Sequence, residues 1–177
     1  MKKLVCLLMM SIFGLLLVGC SHKTKKFFFQ DPDQRAVNEV LEKALEAIQS
    51  QNHEELSALF SVESQSEKDK FENSVNELFE YYKGETLTYD DWGGPITEKS
   101  ADAEHYVRIM EATYDLKTTE EDYRIAILYV AENTRNLDSE GIQSFYIIKR
   151  NDDTNSQYAY RGDGKYTLGI NIGIPNW

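Results

Sequence analysis

The amino-acid sequence predicts an α+β domain in which N-terminal helices pack on a curved antiparallel sheet. Apolar residues recur at helical spacing up to residue 84, and patterns typical of strands follow it. Helices that come first and strands that come afterwards favour an α+β layer fold. The chain has 177 residues, a length that suits one domain.

The first predicted helix begins where Asp31 precedes Pro32, a pair typical of a helix N-terminus. Apolar residues then recur at the spacing of one helix face: Val37, Val40, Leu41, Ala44, Leu45 and Ile48. This periodicity predicts an amphipathic helix of about four turns.

Two further helices are predicted from capping-box spacings. Asn52 followed by Glu55 has the spacing that opens a short helix. Ser64 followed by Glu67 repeats this spacing before a longer helix, whose apolar stripe stops near Gly84. Three helices are therefore expected before any strand.

Strand patterns fill the chain after Gly84. The predicted strands cover residues 85–89, 106–114, 123–130 and 142–149. The strand at 123–130 is apolar on both faces, which predicts a central position in the sheet. Residues 158–160 and 166–174 are expected to form a last edge hairpin around 162–164.

The start of the chain resembles the signal peptide of a bacterial lipoprotein. A positive start at Met1–Lys3 precedes the apolar run Leu4–Val18, which is shorter than the ~20 residues that span a bilayer. The run ends in Leu-Val-Gly-Cys, with Cys20 last, and this order resembles the lipobox. In that motif the cysteine thiol receives a diacylglycerol and the chain is cleaved just before it.

These features predict a signal peptide at 1–19, a lipidated tether at 20–33 and a single domain at 34–177. Cleavage removes 19 of 177 residues and two of 19 Lys and Arg, against 30 Asp and Glu, which leaves 158 residues and a net charge of −13. The one remaining cysteine carries lipid, so no disulfide is expected. We expect the lipid on Cys20 to hold the protein on the extracytoplasmic face of a Gram-positive cell membrane.

Composition excludes several classes of function. The net charge of the whole chain is −11 and no block rich in Lys and Arg occurs in its body, so nucleic acid is not expected as a partner. The histidines at 22, 53 and 105 lack the spacing of metal ligands. No metal and no cofactor are therefore expected.

The order of a long helix, the segment Asn52–Phe60, a third helix and a strand meander resembles the nuclear-transport-factor-2-like (cystatin-like) cone. The segments that follow are similar to an uncharacterised family of Firmicutes lipoproteins, domain of unknown function 5104: Phe71–Gly84, Tyr123–Asn133, Leu137–Gly141 and Ile142–Ile148. The resemblance covers roughly residues 34–150. It implies a fold and an envelope location, offers no catalytic residues, and leaves 151–177 unmatched.

A cone of this type encloses a pocket, and the resemblance therefore implies candidate pocket-lining residues: Tyr106, Arg108, Tyr129 and Tyr146. Enzymes of the fold place a carboxylate or a histidine beside a tyrosine in that pocket, which adds His105 and Glu111 as candidates. Nothing in the spacing makes His105 a base, so no catalytic residue is assigned.

Two functions stay open at this point. The first is a non-catalytic module that binds a small molecule, a peptide or an envelope protein in the cavity or on an exposed sheet face. The alternative is a metal-independent enzyme of the isomerase or dehydratase type that uses a tyrosine with a carboxylate or histidine. A structural partner of another envelope protein would instead expose a contiguous apolar patch.

Overall fold

The computed structural model describes residues 31–153 and 167–173. Its helices are α1 (Pro32–Gln49), α2 (His53–Ser57) and α3 (Lys68–Tyr81). Its strands are β1 (Thr86–Asp91), β2 (Ile96–Ala101), β3 (Tyr106–Thr118), β4 (Asp122–Asn133), β5 (Gly141–Lys149) and β6 (Gly169–Ile172). Helices followed by an open, mostly antiparallel sheet confirm the predicted α+β class. The predicted signal peptide and Cys20 lie outside the described residues.

Helix α1 begins as its sequence predicts. The Asp31 carboxylate accepts a hydrogen bond from the backbone N–H of Asp33 at 2.8 Å, and Pro32 occupies the first turn. The predicted apolar face is buried, with Val37 and Leu41 fully covered by the sheet and the other helices. Because α1 starts at Pro32, Asp33 belongs to the helix although it was predicted to end the tether.

The two capping predictions have opposite outcomes. Asn52 caps α2, since its side-chain oxygen accepts from the backbone N–H of Glu55 at 3.1 Å. Ser64 does not cap α3, which begins at Lys68 without a side-chain cap. Ser64 lies instead in a 3₁₀ turn, where its hydroxyl donates to the carbonyl of Ser61 at 2.8 Å. This local bond competes with the capping role.

One edge of the sheet is formed by two short strands in succession. Both β1 and β2 pair antiparallel with β3, β1 along residues 114–118 and β2 along 106–111. The break between them is stabilised by Asp91, whose carboxylate accepts from the backbone N–H groups of Gly93 and Gly94 at 3.0 Å. Strand β2 was not predicted, because its residues are mostly polar and exposed.

Strand β4 lies at the centre of the strand order β1-β3-β4-β5-β6, as predicted. On the inner face, against which the helices pack, Ile125 and Ile127 belong to the main hydrophobic core. On the outer face, Ala126 belongs to a smaller buried cluster with Tyr146 and Ile148. Both faces are therefore covered, which explains the nearly continuous apolar sequence of this strand.

Strand β6 departs from the antiparallel pattern. It pairs parallel with β5, with Gly169 beside Ser144 and Ile172 beside Ile147. A strand is thus confirmed within residues 166–174, but its recorded partner is β5, and residues 158–160 of the predicted hairpin lie outside the described part of the chain. Among the described helices, none combines the length and apolar character needed to cross a membrane.

Gly141 provides a test of how β5 is joined to the loop after α2. It has φ +116°, and a Cβ atom there would lie 2.8 Å from the backbone nitrogen of Ser61. We expect Gly141→Ala to lower the free energy of unfolding by at least about 2 kcal/mol, because a forbidden φ and a backbone clash add. Denaturant titration of the full chain measures this loss.

Gly93→Ala is the matched control. Gly93 also has positive φ, +97°, but a Cβ there would meet no atom within 4 Å. Only backbone strain remains, so we expect a loss of about 1 kcal/mol. Equal losses for the two variants would contradict the close approach at Gly141.

Candidate functional site

The structure places the four residues predicted to line a pocket on two different faces of the sheet. Tyr106, Arg108 and Met110 alternate along β3 onto the inner face. Tyr129 is on the same face, because it lies directly opposite Met110 in the β3–β4 register. Tyr146 lies on the outer face, so the sheet separates it from Arg108 and Tyr129.

Arg108 and Lys99 converge on one carboxylate, that of Asp33. The two cationic residues are direct cross-strand neighbours on β2 and β3, so they share a face. The Arg108 Nη2 atom donates to Asp33 Oδ1, and the Lys99 Nζ atom lies 2.8 Å from Asp33 Oδ2. Because Asp33 lies in the first turn of α1, this contact joins the helix start to the sheet. We call Asp33, Lys99, Arg108 and Tyr129 the Arg108 site.

Asp33 is ionised in this site. The hydrogen bond from Lys99 holds the pKa of its carboxyl below the ordinary range, although burial opposes the shift, and Arg108 and Thr97 add to the lowering. Only 8% of the surface of Asp33 is exposed. The carboxylate is therefore a paired anion that carries no proton at neutral pH.

Arg108 keeps hydrogen-bonding capacity that Asp33 does not use. Among the described residues, the guanidinium donates a recorded hydrogen bond through Nη2 to Asp33. Its Nε atom is buried and has no hydrogen-bond partner among them. A guanidinium carries five N–H donors in a fixed plane. The side chain is 24% exposed, so the site is partly open to solvent.

Tyr129 is the half-buried neighbour of this guanidinium on β4. Burial raises the pKa of Tyr129, and the positive charge of Arg108 opposes that increase. Within the described ranges no hydrogen bond to its hydroxyl is found. The phenol is therefore a neutral donor at physiological pH.

Two further polar side chains of α1, Asn38 and Glu42, are bonded to the sheet. Asn38 Oδ1 accepts from Gln34 at 2.8 Å and from the hydroxyl of Tyr114 at 2.9 Å. One turn further on, Glu42 accepts from the hydroxyl of Tyr89 at 2.8 Å. Burial raises the pKa of both tyrosines, so each stays a donor. These contacts position α1 on the sheet.

The outer face carries a separate charged cluster. The buried Arg124 bonds to Asp115 and Asp153, and its guanidinium lies 4.2 Å from the ring centre of Trp92. The Tyr146 hydroxyl donates to the carbonyl of Gly173 at 2.7 Å, which ties β5 to the residue after β6. This contact of Tyr146 is structural.

The other candidates for acid–base chemistry lie away from Tyr129. His105 is in a turn, where its Nδ1 atom is 3.1 Å from Asp102. Backbone hydrogen bonding from Glu104, helped by Arg135, lowers the pKa of Asp102 to about 2. Glu111 lies on the outer face, opposite Ile96. In the part of the chain that the structure describes, no cluster of His, Cys, Asp or Glu could hold a metal ion.

A shallow groove of about 170 Å³ lies between the start of α3 and β6. Its lining includes Ser66, Lys70, Phe71, Leu168 and Asn171. It was not predicted, because β6 and α3 come together only through the parallel pairing of β6 with β5. Its lining has no charged group on which two oppositely charged side chains converge, as Lys99 and Arg108 do on Asp33.

Asp33 and Lys99 were also missed as site residues. Asp33 was predicted only to lie where the tether meets the first helix, and Lys99 lies in the strand that had no apolar pattern. Asp33 lies 75 positions from Arg108, and no local spacing signals such a contact.

A family model described as a domain of unknown function (DUF5104) matches residues 43–150 of the chain. The matched segment contains Lys99, Arg108 and Tyr129 and begins after Asp33. No curated protein matches the chain.

The ion pairs of Asp33 predict a pH-dependent stability. The folded-state pKa is lowered, so the stabilisation is present above the unfolded value of about 4 and is lost as pH falls through the lower folded value. We expect Asp33→Asn to be less stable than wild type by about 1 kcal/mol near pH 7. The difference should shrink progressively below about pH 4.

Urea titrations between pH 7 and pH 2.5 measure this difference. Asp138→Asn is the matched control, because Asp138 is an exposed residue of a 3₁₀ turn with no ion pair recorded among the described residues. The control should stay within about 0.5 kcal/mol of wild type throughout. A destabilisation of Asp33→Asn that persists unchanged at the lowest pH would contradict the ion-pair explanation.

Proposed function

Because the chain belongs to the DUF5104 family, whose description assigns no activity, we propose its function from its own residues. The protein is a lipid-anchored extracytoplasmic module that binds a ligand at the Arg108 site and performs no catalysis. It works on the cell membrane of a Gram-positive bacterium.

The anchoring part of this proposal is supported by the N-terminal sequence. A positive start, an apolar run too short to span a bilayer and a terminal Leu-Val-Gly-Cys occur in the order of a lipoprotein signal peptide. Two acyl chains hold a protein durably on a membrane. The domain, which begins at Asp31, would follow the lipidated Cys20 after a short tether.

The binding part is carried by one observation, the unused donors of Arg108. A partly buried guanidinium normally satisfies its donors, because an unpaired buried N–H costs about 1–3 kcal/mol. Here the Nε atom has no partner in the described residues, and a neutral tyrosine hydroxyl lies on the same face. An unsatisfied buried group of this kind needs an explanation, and the explanation that we propose is a bound ligand.

The enzyme alternative finds less support in the same residues. An isomerase or dehydratase needs a group that exchanges a proton near neutral pH beside the tyrosine. The carboxylate nearest to Arg108, Asp33, has a lowered pKa and is bonded to two cations, which makes it a weak base. His105 is bonded to Asp102 in an exposed turn. Binding is therefore the function that these groups favour.

The anchor is tested by mass spectrometry of the membrane fraction. We expect an N-terminal peptide that begins at Cys20 and carries a diacylglycerol. Cys20→Ser should abolish both the modification and the cleavage, because the thiol is the lipid acceptor. Cys6→Ser, in the signal peptide, is the control and should be processed normally. An unmodified Cys20 or a mature start elsewhere would refute the anchor.

The binding site is tested by native mass spectrometry of the full-length protein released from its own membranes in detergent. We expect wild type to carry a small-molecule adduct that Arg108→Gln lacks, because the guanidinium donors hold it. Arg135→Gln is the control, since Arg135 pairs with Asp102 in a turn outside the site. Adducts of equal abundance on both variants, or none on wild type, would count against binding at Arg108.

A further inference from the structure

We infer that the segment after Cys20 makes a second contact with the membrane, in which its lysines bind anionic lipid headgroups and its phenylalanines enter the interface. The segment, residues 22–29, has the sequence His-Lys-Thr-Lys-Lys-Phe-Phe-Phe, and we call it the basic-aromatic segment. It lies outside the described residues and is interpreted from its sequence and from the described start of the domain. The inference rests on the proposed lipid anchor and adds a contact that the anchor alone does not provide.

The charge of the chain changes sign where the domain begins. Residues 1–30 contain five of the 19 Lys and Arg and none of the 30 Asp and Glu. The domain from residue 31 therefore has 14 cationic and 30 anionic side chains, a net charge of −16, whereas residues 20–30 carry +3. An anionic surface attracts the tether and repels the domain. Of the two parts, the tether is the one suited to contact anionic lipid.

The lysines follow the lipidated cysteine closely enough to act together with it. Lys23, Lys25 and Lys26 occupy three of the four positions 23–26, and the last is six residues from Cys20. The diacylglycerol holds them at a high local concentration beside the headgroups. Near an anionic surface each lysine strengthens binding about 5-fold, so the three together favour the bound segment by about 100-fold.

Three aromatic rings follow the lysines directly, at Phe27, Phe28 and Phe29. A strand would turn the middle ring away from the other two, and a helix would spread the three over about 200°. This run therefore has neither period that buries one face of an element against a core. The interfacial layer of a bilayer, about 5–10 Å deep, receives rings from several directions and removes their apolar area from water.

The described start of the domain limits the length of the tether. The carboxylate of Asp31 accepts from the backbone N–H of Asp33 at 2.8 Å, and Asp33 is itself paired with two cations of the sheet. The domain therefore begins at Asp31, and ten residues, 21–30, separate it from Cys20. They span at most about 36 Å when fully extended. Eight of the ten belong to the basic-aromatic segment, so the membrane contact extends over nearly the whole tether.

The test places an indole in the segment of the full-length lipoprotein. Phe28→Trp is reconstituted into vesicles of phosphatidylglycerol and phosphatidylcholine, with and without bromine on the acyl chains. Bromine quenches an indole that lies within or directly beside the bilayer. Wild type, which has Trp92 and Trp177, gives the background emission. We expect the added emission to shift to the blue and to be lost on bromination, because the ring enters the interface.

Lysine variants in this background show whether the headgroups hold the segment. Replacing the three lysines of the segment together with Gln should restore most of the added emission, because the attraction to the anionic surface is lost. Vesicles of phosphatidylcholine alone should have the same effect. The matched control, which should leave the quenching unchanged, makes an equal change of net charge at three exposed lysines of the domain: Lys68→Gln, Lys70→Gln and Lys83→Gln.

Mass spectrometry of each variant confirms the lipid on Cys20 before the measurement. If the triple variant of the segment is not processed, Lys26→Gln and the phosphatidylcholine vesicles give the test. Each should weaken the quenching while the protein stays lipidated.

Several outcomes overturn the inference. A blue-shifted emission that bromine does not quench shows that the phenylalanines pack on the domain instead. Quenching that is equal in the two triple variants, or equal in the two kinds of vesicle, shows that the headgroups do not hold the segment. In each of these cases a lipidated Cys20 leaves the proposed anchor standing. An unmodified Cys20 overturns the anchor and this inference together.

Discussion

The position of α1 on the sheet depends on polar bonds along one side of the helix. Three of its side chains bond to the sheet: Asp33 to Arg108, Asn38 to Tyr114 and Glu42 to Tyr89. Buried polar groups are costly when unpaired, so a shift of the helix by one residue would break all three bonds at once. The apolar core alone tolerates such shifts better, because its packing is less directional. The polar bonds therefore fix the helix register and, with it, the place of Asp33 beside Arg108.

Much of the fold was predictable because it depends on local periodicity. The helix-period stripes predicted α1 and α3, and two apolar faces predicted the central place of β4. What was missed depends on context. An edge strand such as β2 needs few apolar residues, since it is largely exposed. The parallel pairing of β6 is non-local, and the cap expected at Ser64 lost to a bond with Ser61.

The candidate site was predictable only in part. Arg108 and Tyr129 were named from the family resemblance, and the β3–β4 register brings them to one face, with a bulge beside Arg108. Tyr146 was named with them, but side chains alternate along β5. Tyr146 therefore lies on the outer face, whereas its neighbours Phe145 and Ile147 lie on the inner face and belong to the core. The carboxylate that organises the site is 75 residues from Arg108, and the sequence carries no pattern for that contact.

Asp33 has two effects on Arg108 that act in opposite directions. Its ion pair holds the guanidinium in a fixed orientation, which reduces the entropy that a ligand of the proposed site would have to remove on binding. Its charge also compensates part of the positive field of Arg108 and Lys99. The residue that joins α1 to the sheet therefore also sets both the orientation of Arg108 and the charge around it.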